Sequence, residues 1–218
     1  MLDAQLVVLA KRPQPGRTKT RLCPPLTLEQ AAWVAEAALL DTLDVVLRTP
    51  VRRRLVVLDG APEGLIPPNM SVRAQRGNGL AERLAAAVDD AFADCPLPLL
   101  LIGMDTPQVT PALLTDCVRL LRNSPSVLGH AQDGGWWAIG LHAADPRVFH
   151  DVPMSTTRTG AVQQERLVER GLAPKLLPPL RDIDTAEDLY AVTAQLAPGS
   201  RLAGLDVARS GRPLARPA

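Results

Sequence analysis

Short, wholly apolar runs alternate along the chain with longer stretches in which apolar residues return every three or four positions. Residues 5–10 (QLVVLA) are apolar after Gln5, with β-branched Val7 and Val8 at their centre. That is the pattern of a strand covered on both faces of a parallel sheet. Residues 11–25 follow with four prolines and Gly16, which excludes a helix there. Thr27 and Gln30 then form a capping-box pair, and apolar residues recur at helical spacing through Leu47. Further strands are predicted at 54–58, 72–74, 97–103, 127–129, 136–141 and 175–177, and further helices at 80–93, 111–122, 159–170 and 186–196. Thr110 and Thr185 stand at helix starts, and Pro111 occupies the first helical position, where proline is tolerated.

This alternation predicts an α/β fold around a mostly parallel sheet. Two strand candidates flank Asp133 with only a short loop between them, so a mixed sheet is expected at that point. From Pro198 onward periodicity is lost and Gly, Pro and Arg accumulate. The expected organisation is one domain over residues 1–197 and a flexible tail over 198–218.

Composition narrows the classes. A chain of 218 residues is long enough to bury about 70% of its unfolded surface without disulfide or metal staples. The net charge of +1 gives no broad footprint for nucleic acid or an anionic membrane. No apolar run approaches the ~20 residues of a membrane span, and no basic segment precedes an apolar one at the start. Three scattered cysteines read as reduced thiols. The expectation is a cytoplasmic protein that binds neither nucleic acid nor membrane. Its oligomeric state is open, a homodimer included. Only three lysines occur, and two of them, Lys11 and Lys19, lie in the loop after the first strand.

Ligands of open α/β sheets sit beyond the carboxyl ends of the strands, and four polar clusters fall there. Lys11, Arg12, Gly16, Arg17, Lys19 and Arg21 form a proline-stiffened basic loop, read as a polyphosphate cradle or as a solvated basic loop. Gln75, Gly77, Asn78, Gly79 and Arg83 surround a helix start, where glycines admit a close ligand and free amides favour anions. Asp105 ends an apolar strand and is followed by Thr-Pro. It is read as a divalent-metal ligand or as a turn cap. Asp133, Gly134, Gly135 and Trp136 form an acidic turn, and Asp184 precedes the last helix, either to cap it or to complete an oxygen-rich site. No zinc spacing joins His130, His142 and His150.

The stretches A-K-R-P-x-P-G-R-x-K-T-R-L, G-x-D-T-P, D-G-G-W-W-x-I-G-L and D-I-D-T-A-E-D-L, in this order over residues 6–196, resemble a bacterial family of glycosyltransferases (DUF2064-type). That family is related to the arsenosugar-biosynthesis glycosyltransferases, within the nucleotide-diphospho-sugar transferase superfamily. The basic loop is also similar to 2-phospho-lactate guanylyltransferases, and D-T-P to molybdenum-cofactor guanylyltransferases. The resemblance implies a GT-A-type, Rossmann-like three-layer α/β/α sandwich with a mixed, mostly parallel sheet. It implies Lys11, Arg12, Gly16, Arg17, Lys19 and Arg21 around a nucleotide and its phosphates, with Gln75 and the loop 77–79 at base or ribose. It further implies Mg²⁺ or Mn²⁺ on Asp105, with Asp184 as second ligand and Asp133 facing a small acceptor. The chain departs from the family pattern at Gly103, where an acid is usual, and at Ala131, Gln132 and Trp136 around the Asp-Gly-Gly turn. The activity expected first is glycosyl transfer from a nucleoside-diphosphate sugar, with Asp133 as the base. Nucleotidyl transfer, with Lys19 or Arg21 steadying charge on phosphorus, is the alternative. A non-catalytic nucleotide-binding protein is the third reading.

Overall fold

The computed structural model describes residues 1–205. Its seven strands are β1 (Leu2–Lys11), β2 (Val51–Asp59), β3 (Ser71–Ala74), β4 (Leu99–Ile102), β5 (Ser126–Ala131), β6 (Trp136–Leu141) and β7 (Pro174–Leu180). Its helices are α1 (Leu28–Arg48), α2 (Gly79–Asp94), α3 (Pro111–Arg122), α4 (Thr159–Glu169), α5 (Ala186–Thr193) and α6 (Arg201–Gly204), with short 3-10 turns at Thr20–Leu22 and Pro146–Val148. The predicted capping box is present at α1: Thr27 accepts from the Gln30 amide, and Gln30 accepts from the Thr27 amide. Thr185 and Asp188 form a second one at α5.

The strands form one sheet in the order β3-β2-β1-β4-β6-β5-β7. All neighbours pair in parallel except β6, which runs antiparallel to β4 and β5. The mixed region expected around Asp133 is therefore the β5–β6 hairpin. Alternate residues of the apolar strands feed two cores. Leu6, Val8, Val56, Leu100 and Ile102 pack with α1 and α3 on one face. Val7, Leu55, Val57, Leu99 and Leu101 pack with α2, α4 and the 146–148 turn on the other. Burial on both faces is why these strands read as unbroken apolar runs.

From β1 the chain steps through α1 to β2, whereas α2 returns it to β4 on the other side of β1. Right-handed crossovers that step in opposite directions place their helices on opposite faces. The reversal at β1/β4 opens a crevice at the carboxyl ends of these strands, and the candidate site lies there.

A third apolar cluster joins the outer face of α1 to Leu22, α5 and α6 through Ala38, Ile183, Leu189, Leu202 and Leu205. Residues 200–205 thus do not follow the expected tail. Asp41, buried in α1, accepts from the amides of Arg201 (2.9 Å) and Leu202 (3.0 Å) and fastens α6 by its first turn. Loss of periodicity predicted an unpacked segment, but four helical residues suffice to bury Leu202 once a partner helix supplies the cap. The remainder of the expected tail, 206–218, lies outside the described residues. Among the described residues no helix is long and apolar enough to cross a membrane.

Candidate active site

At the crevice, the ends of β1, β4 and β7 bring three of the sequence clusters together. The loop after β1 turns at Gly16, in a left-handed conformation (φ 74°), and Thr18 ties the turn by bonding both the amide and the carbonyl of Gln14. Lys19 follows, itself left-handed (φ 52°, ψ 33°), a conformation disfavoured for any residue with a Cβ. Its side chain, 8% exposed, points back into the crevice. The ammonium lies 2.6 Å from Oδ1 of Asp105 and 3.4 Å from Oδ1 of Asp184, and it also donates to the Ile183 carbonyl. Burial opposes the Lys19 charge, but Asp105, then Asp184 and Asp182, outweigh it and its pKa is raised.

Asp105 follows β4 by way of Gly103 and Met104, and its carbonyl accepts from the Ile183 amide at 3.0 Å, which locks the β4 and β7 ends together. Asp184 also receives Arg21, 3.3 Å away and largely exposed. Asp182, between these elements, is not among the site residues expected from the sequence. One of its carboxylate oxygens is buried without a partner. Burial, then the negative charges of Asp105, Asp133 and Asp184, pushes its pKa up to about 8. Its signal was the spacing of two from Asp184, which in extended backbone sends both side chains the same way.

The other members of the basic loop separate. Lys11 ends β1, its amide on the Met104 sulfur at 3.3 Å. Arg12, expected at the nucleotide, is turned to the loop after β2, donating to the carbonyls of Ala61 and Glu63 (3.1 Å) across Gly60. Arg17 is exposed and bonds Gln14. Gln75, expected at the base or ribose, is bonded to the sheet. Its amide donates to the carbonyls of Ala10 (2.7 Å) and Val57 (3.2 Å). Arg83 reaches back from α2 to Asp59 (3.0 Å), Gln75 (3.4 Å) and the Gly77 carbonyl. Asp59 completes this network; as the final residue of an apolar strand it gave no separate signal. Gly77 (φ 116°) leaves no room for a side chain, since a Cβ would stand 2.8 Å from that of Glu82. Asn78 and Gly79 remain exposed at the α2 N-terminus, with the Asn78 amide on Glu82.

The Asp-Gly-Gly turn has a structural duty as well. Exposed Asp133 accepts from the Gly135 amide (2.8 Å), closing the turn. A Cβ on Gly134 would strike the Thr157 carbonyl, and the Gly160 amide donates to the Gly134 carbonyl at 2.8 Å. The glycines therefore let the hairpin sit directly on the start of α4. The two tryptophans face opposite sides of the sheet, as successive strand residues do, and the β5–β6 register shifts beside them at His130. Trp137 enters the α1/α3 core, its indole donating to the Pro178 carbonyl, while Trp136 stays half-buried on the α2/α4 face. Such bulges re-aim side chains beside active sites. His130 bonds Gln164 and His142 bonds the Leu121 and Ser124 carbonyls, in line with structural roles.

Among the described residues, no group of three His, Cys, Asp or Glu side chains could hold a metal alone. Asp105, Asp184 and the Ile183 carbonyl nonetheless converge on one cation position. Hard oxygen donors of this kind suit a divalent ion that takes its remaining ligands from water and substrate phosphate.

Residues 37–156, more than half of the chain, match the family described as an uncharacterized protein conserved in bacteria (DUF2064). The chain belongs to the DUF2064 family. No curated protein matches this DUF2064 protein. Among solved structures it is similar to a candidate nucleotide-diphospho-sugar transferase from Desulfovibrio desulfuricans G20, 24% identical with a TM-score of 0.83, over 92% of this chain and 90% of that one. A cytidylyltransferase from Leptospira borgpetersenii is 16% identical with a TM-score of 0.55, over 89% and 86% of the two chains. Rv0371c from Mycobacterium tuberculosis H37Rv, solved in complex with manganese, is 18% identical with a TM-score of 0.51, over 88% and 98%. At these identities the likeness is one of fold: the DUF2064 chain has the architecture of nucleotide-sugar and nucleotidyl transferases.

Proposed function

We propose that this DUF2064 protein is a transferase that moves a sugar from a nucleoside-diphosphate sugar to a small hydroxyl-bearing acceptor, with Mg²⁺ or Mn²⁺. The observation that carries the reading is the buried Lys19 between Asp105 and Asp184 at the β1/β4 crevice. The fold shared with a candidate nucleotide-diphospho-sugar transferase and the manganese complex of Rv0371c support it. The exposed loop Gly77–Gly79 and the α2 N-terminus would receive the nucleotide, backbone amides facing its phosphates. Lys19, with Lys11, Arg17 and Arg21, would hold the diphosphate and steady it as negative charge grows during departure. Asp105 and Asp184 would hold the divalent ion, whose charge would neutralise the leaving diphosphate. Asp133, on the exposed turn, would accept the acceptor hydroxyl proton, with Trp136 and Gly134–Gly135 bounding the acceptor.

Nucleotidyl transfer is the second reading, favoured by the same ammonium: Lys19 would steady charge at the α-phosphorus of a nucleoside triphosphate. Product analysis separates the two. With Mn²⁺ and a panel of NDP-sugars and NTPs, release of free NDP supports glycosyl transfer, and release of pyrophosphate supports nucleotidyl transfer. Asp105→Ala should abolish turnover and the Mn²⁺-dependent part of the nucleotide-induced thermal shift while the circular dichroism stays unchanged. Unaltered Mn²⁺-plus-nucleotide stabilisation in that variant would refute the site.

A further inference from the structure

The ammonium of Lys19 occupies the position that the oxygens of Asp105, Asp184 and Ile183 jointly surround. Hard divalent ions take oxygen ligands at about 2.0–2.6 Å, so an ion bound by the same two carboxylates would fall on or against that nitrogen. Two cations cannot share one seat in a crevice where the lysine is only 8% exposed, because screening there is weak. Lys19 is also poised to leave. Its long side chain reaches the crevice from the start of a short 3-10 turn rather than from within a long helix, so rotation about its own torsions withdraws the ammonium at the cost of its ion pairs. Within the same loop Arg12 is committed to the carbonyls of Ala61 and Glu63, which leaves Lys19 as the buried charge able to change partners.

We propose that Lys19 is a resident counter-cation that excludes the divalent ion until substrate phosphates draw its ammonium away from Asp105 and Asp184. This rests on the phosphate-transferring reading above and adds to it an order of events. A metal finds its seat open only when the diphosphate has arrived, so metal and nucleotide bind with positive coupling through one side chain. The device keeps the carboxylates neutralised in the empty protein and links assembly of the reactive site to the presence of substrate.

The test is Mn²⁺ binding to the whole chain without nucleotide, read by the electron paramagnetic resonance signal of free Mn²⁺. Lys19→Met keeps the stem and removes the charge. It should bind Mn²⁺ about tenfold tighter than wild type or more, and Asp105→Asn on either background should lose that binding. Equal Mn²⁺ affinity in wild type and Lys19→Met, with both dependent on Asp105, overturns the proposal and leaves the transferase reading standing. Failure of all variants to bind Mn²⁺, even with nucleoside diphosphates present, overturns both. Should Lys19→Met not fold, wild type alone decides. With only three lysines in the chain, amine acylation followed by peptide mass spectrometry reports each one. Saturating Mn²⁺ should raise the Lys19 rate several-fold and leave Lys175 unchanged, whereas an unaltered Lys19 rate with Mn²⁺ bound overturns the proposal.

Discussion

Gly129 faces the indole of Trp137 so closely that a methyl group would meet its Nε1, Cε2 and Cδ1 atoms. The indole cannot retreat, because it donates to the Pro178 carbonyl at 3.0 Å and is buried. Gly129→Ala should therefore cost about 1–3 kcal/mol by overpacking, measurable as a lower urea midpoint. It should also disturb the turn that carries Asp133. Asp182 makes a pH prediction. Its folded pKa, pushed up to about 8, stands above the ordinary carboxylate value. The folded state thus holds the proton more tightly than the unfolded chain. This group's contribution is fully present below the unfolded pKa of about 4 and is lost as pH rises through about 8. In metal-free buffer, Asp182→Asn should flatten that decline and leave the protein more stable than wild type at pH 8–9, as read by chemical denaturation. Gly129 carries no signal in the sequence, and Asp182 carries only its spacing of two from Asp184. Gly129 sits in an ordinary apolar strand, and its crowding comes from the neighbouring strand. Of the carboxylates facing Asp182, Asp105 and Asp133 stand 77 and 49 positions earlier in the chain, and Asp184 alone is local.

Elements are local features of the sequence, and partners are not. The capping box at Thr27 and the helix starts at Thr185 and Pro111 were visible because they are local, complete within four residues. Helix α6 was not visible, because its stability is not local. At four residues it is too short to persist alone. It forms where Asp41 caps its first amides and Leu202 and Leu205 meet α1 and α5. Asp41→Ala should strip that cap and cost about 1–3 kcal/mol. Hydrogen exchange should report it as faster amide exchange confined to residues 201–205 and the facing turns of α1. Global loss of protection with no local preference would contradict the docking of α6 on α1. The basic loop after β1 illustrates the same limit. Its charge was evident, yet its side chains divide, Lys19 into the crevice, Arg12 to the loop after β2 and Arg17 to solvent.

At the scale of the whole molecule, the cores on the two sheet faces and the α1/α5/α6 cluster are apolar and need no ion to close. Chelation of divalent cations should consequently abolish transfer and leave the unfolding transition nearly unchanged, with activity returning on addition of Mn²⁺ or Mg²⁺. A large loss of melting temperature on chelation would mean that the ion is structural. Strand alternation and apolar runs were enough, by themselves, to determine an α/β protein with a largely parallel sheet and to name the carboxyl ends of its strands as the edge where a site is expected, since periodicity and capping are local consequences of backbone geometry. Only the tertiary structure decided which charges meet. The chain reverses its stepping direction at β1/β4, and that reversal brings Lys19, Asp105, Asp182 and Asp184, dispersed over more than 160 positions, into one crevice. It likewise gave Arg12 a carbonyl partner in the loop after β2 and Gln75 carbonyl partners on the sheet. A side chain's partners are set by sheet order and crossover handedness, which no local pattern of residues encodes.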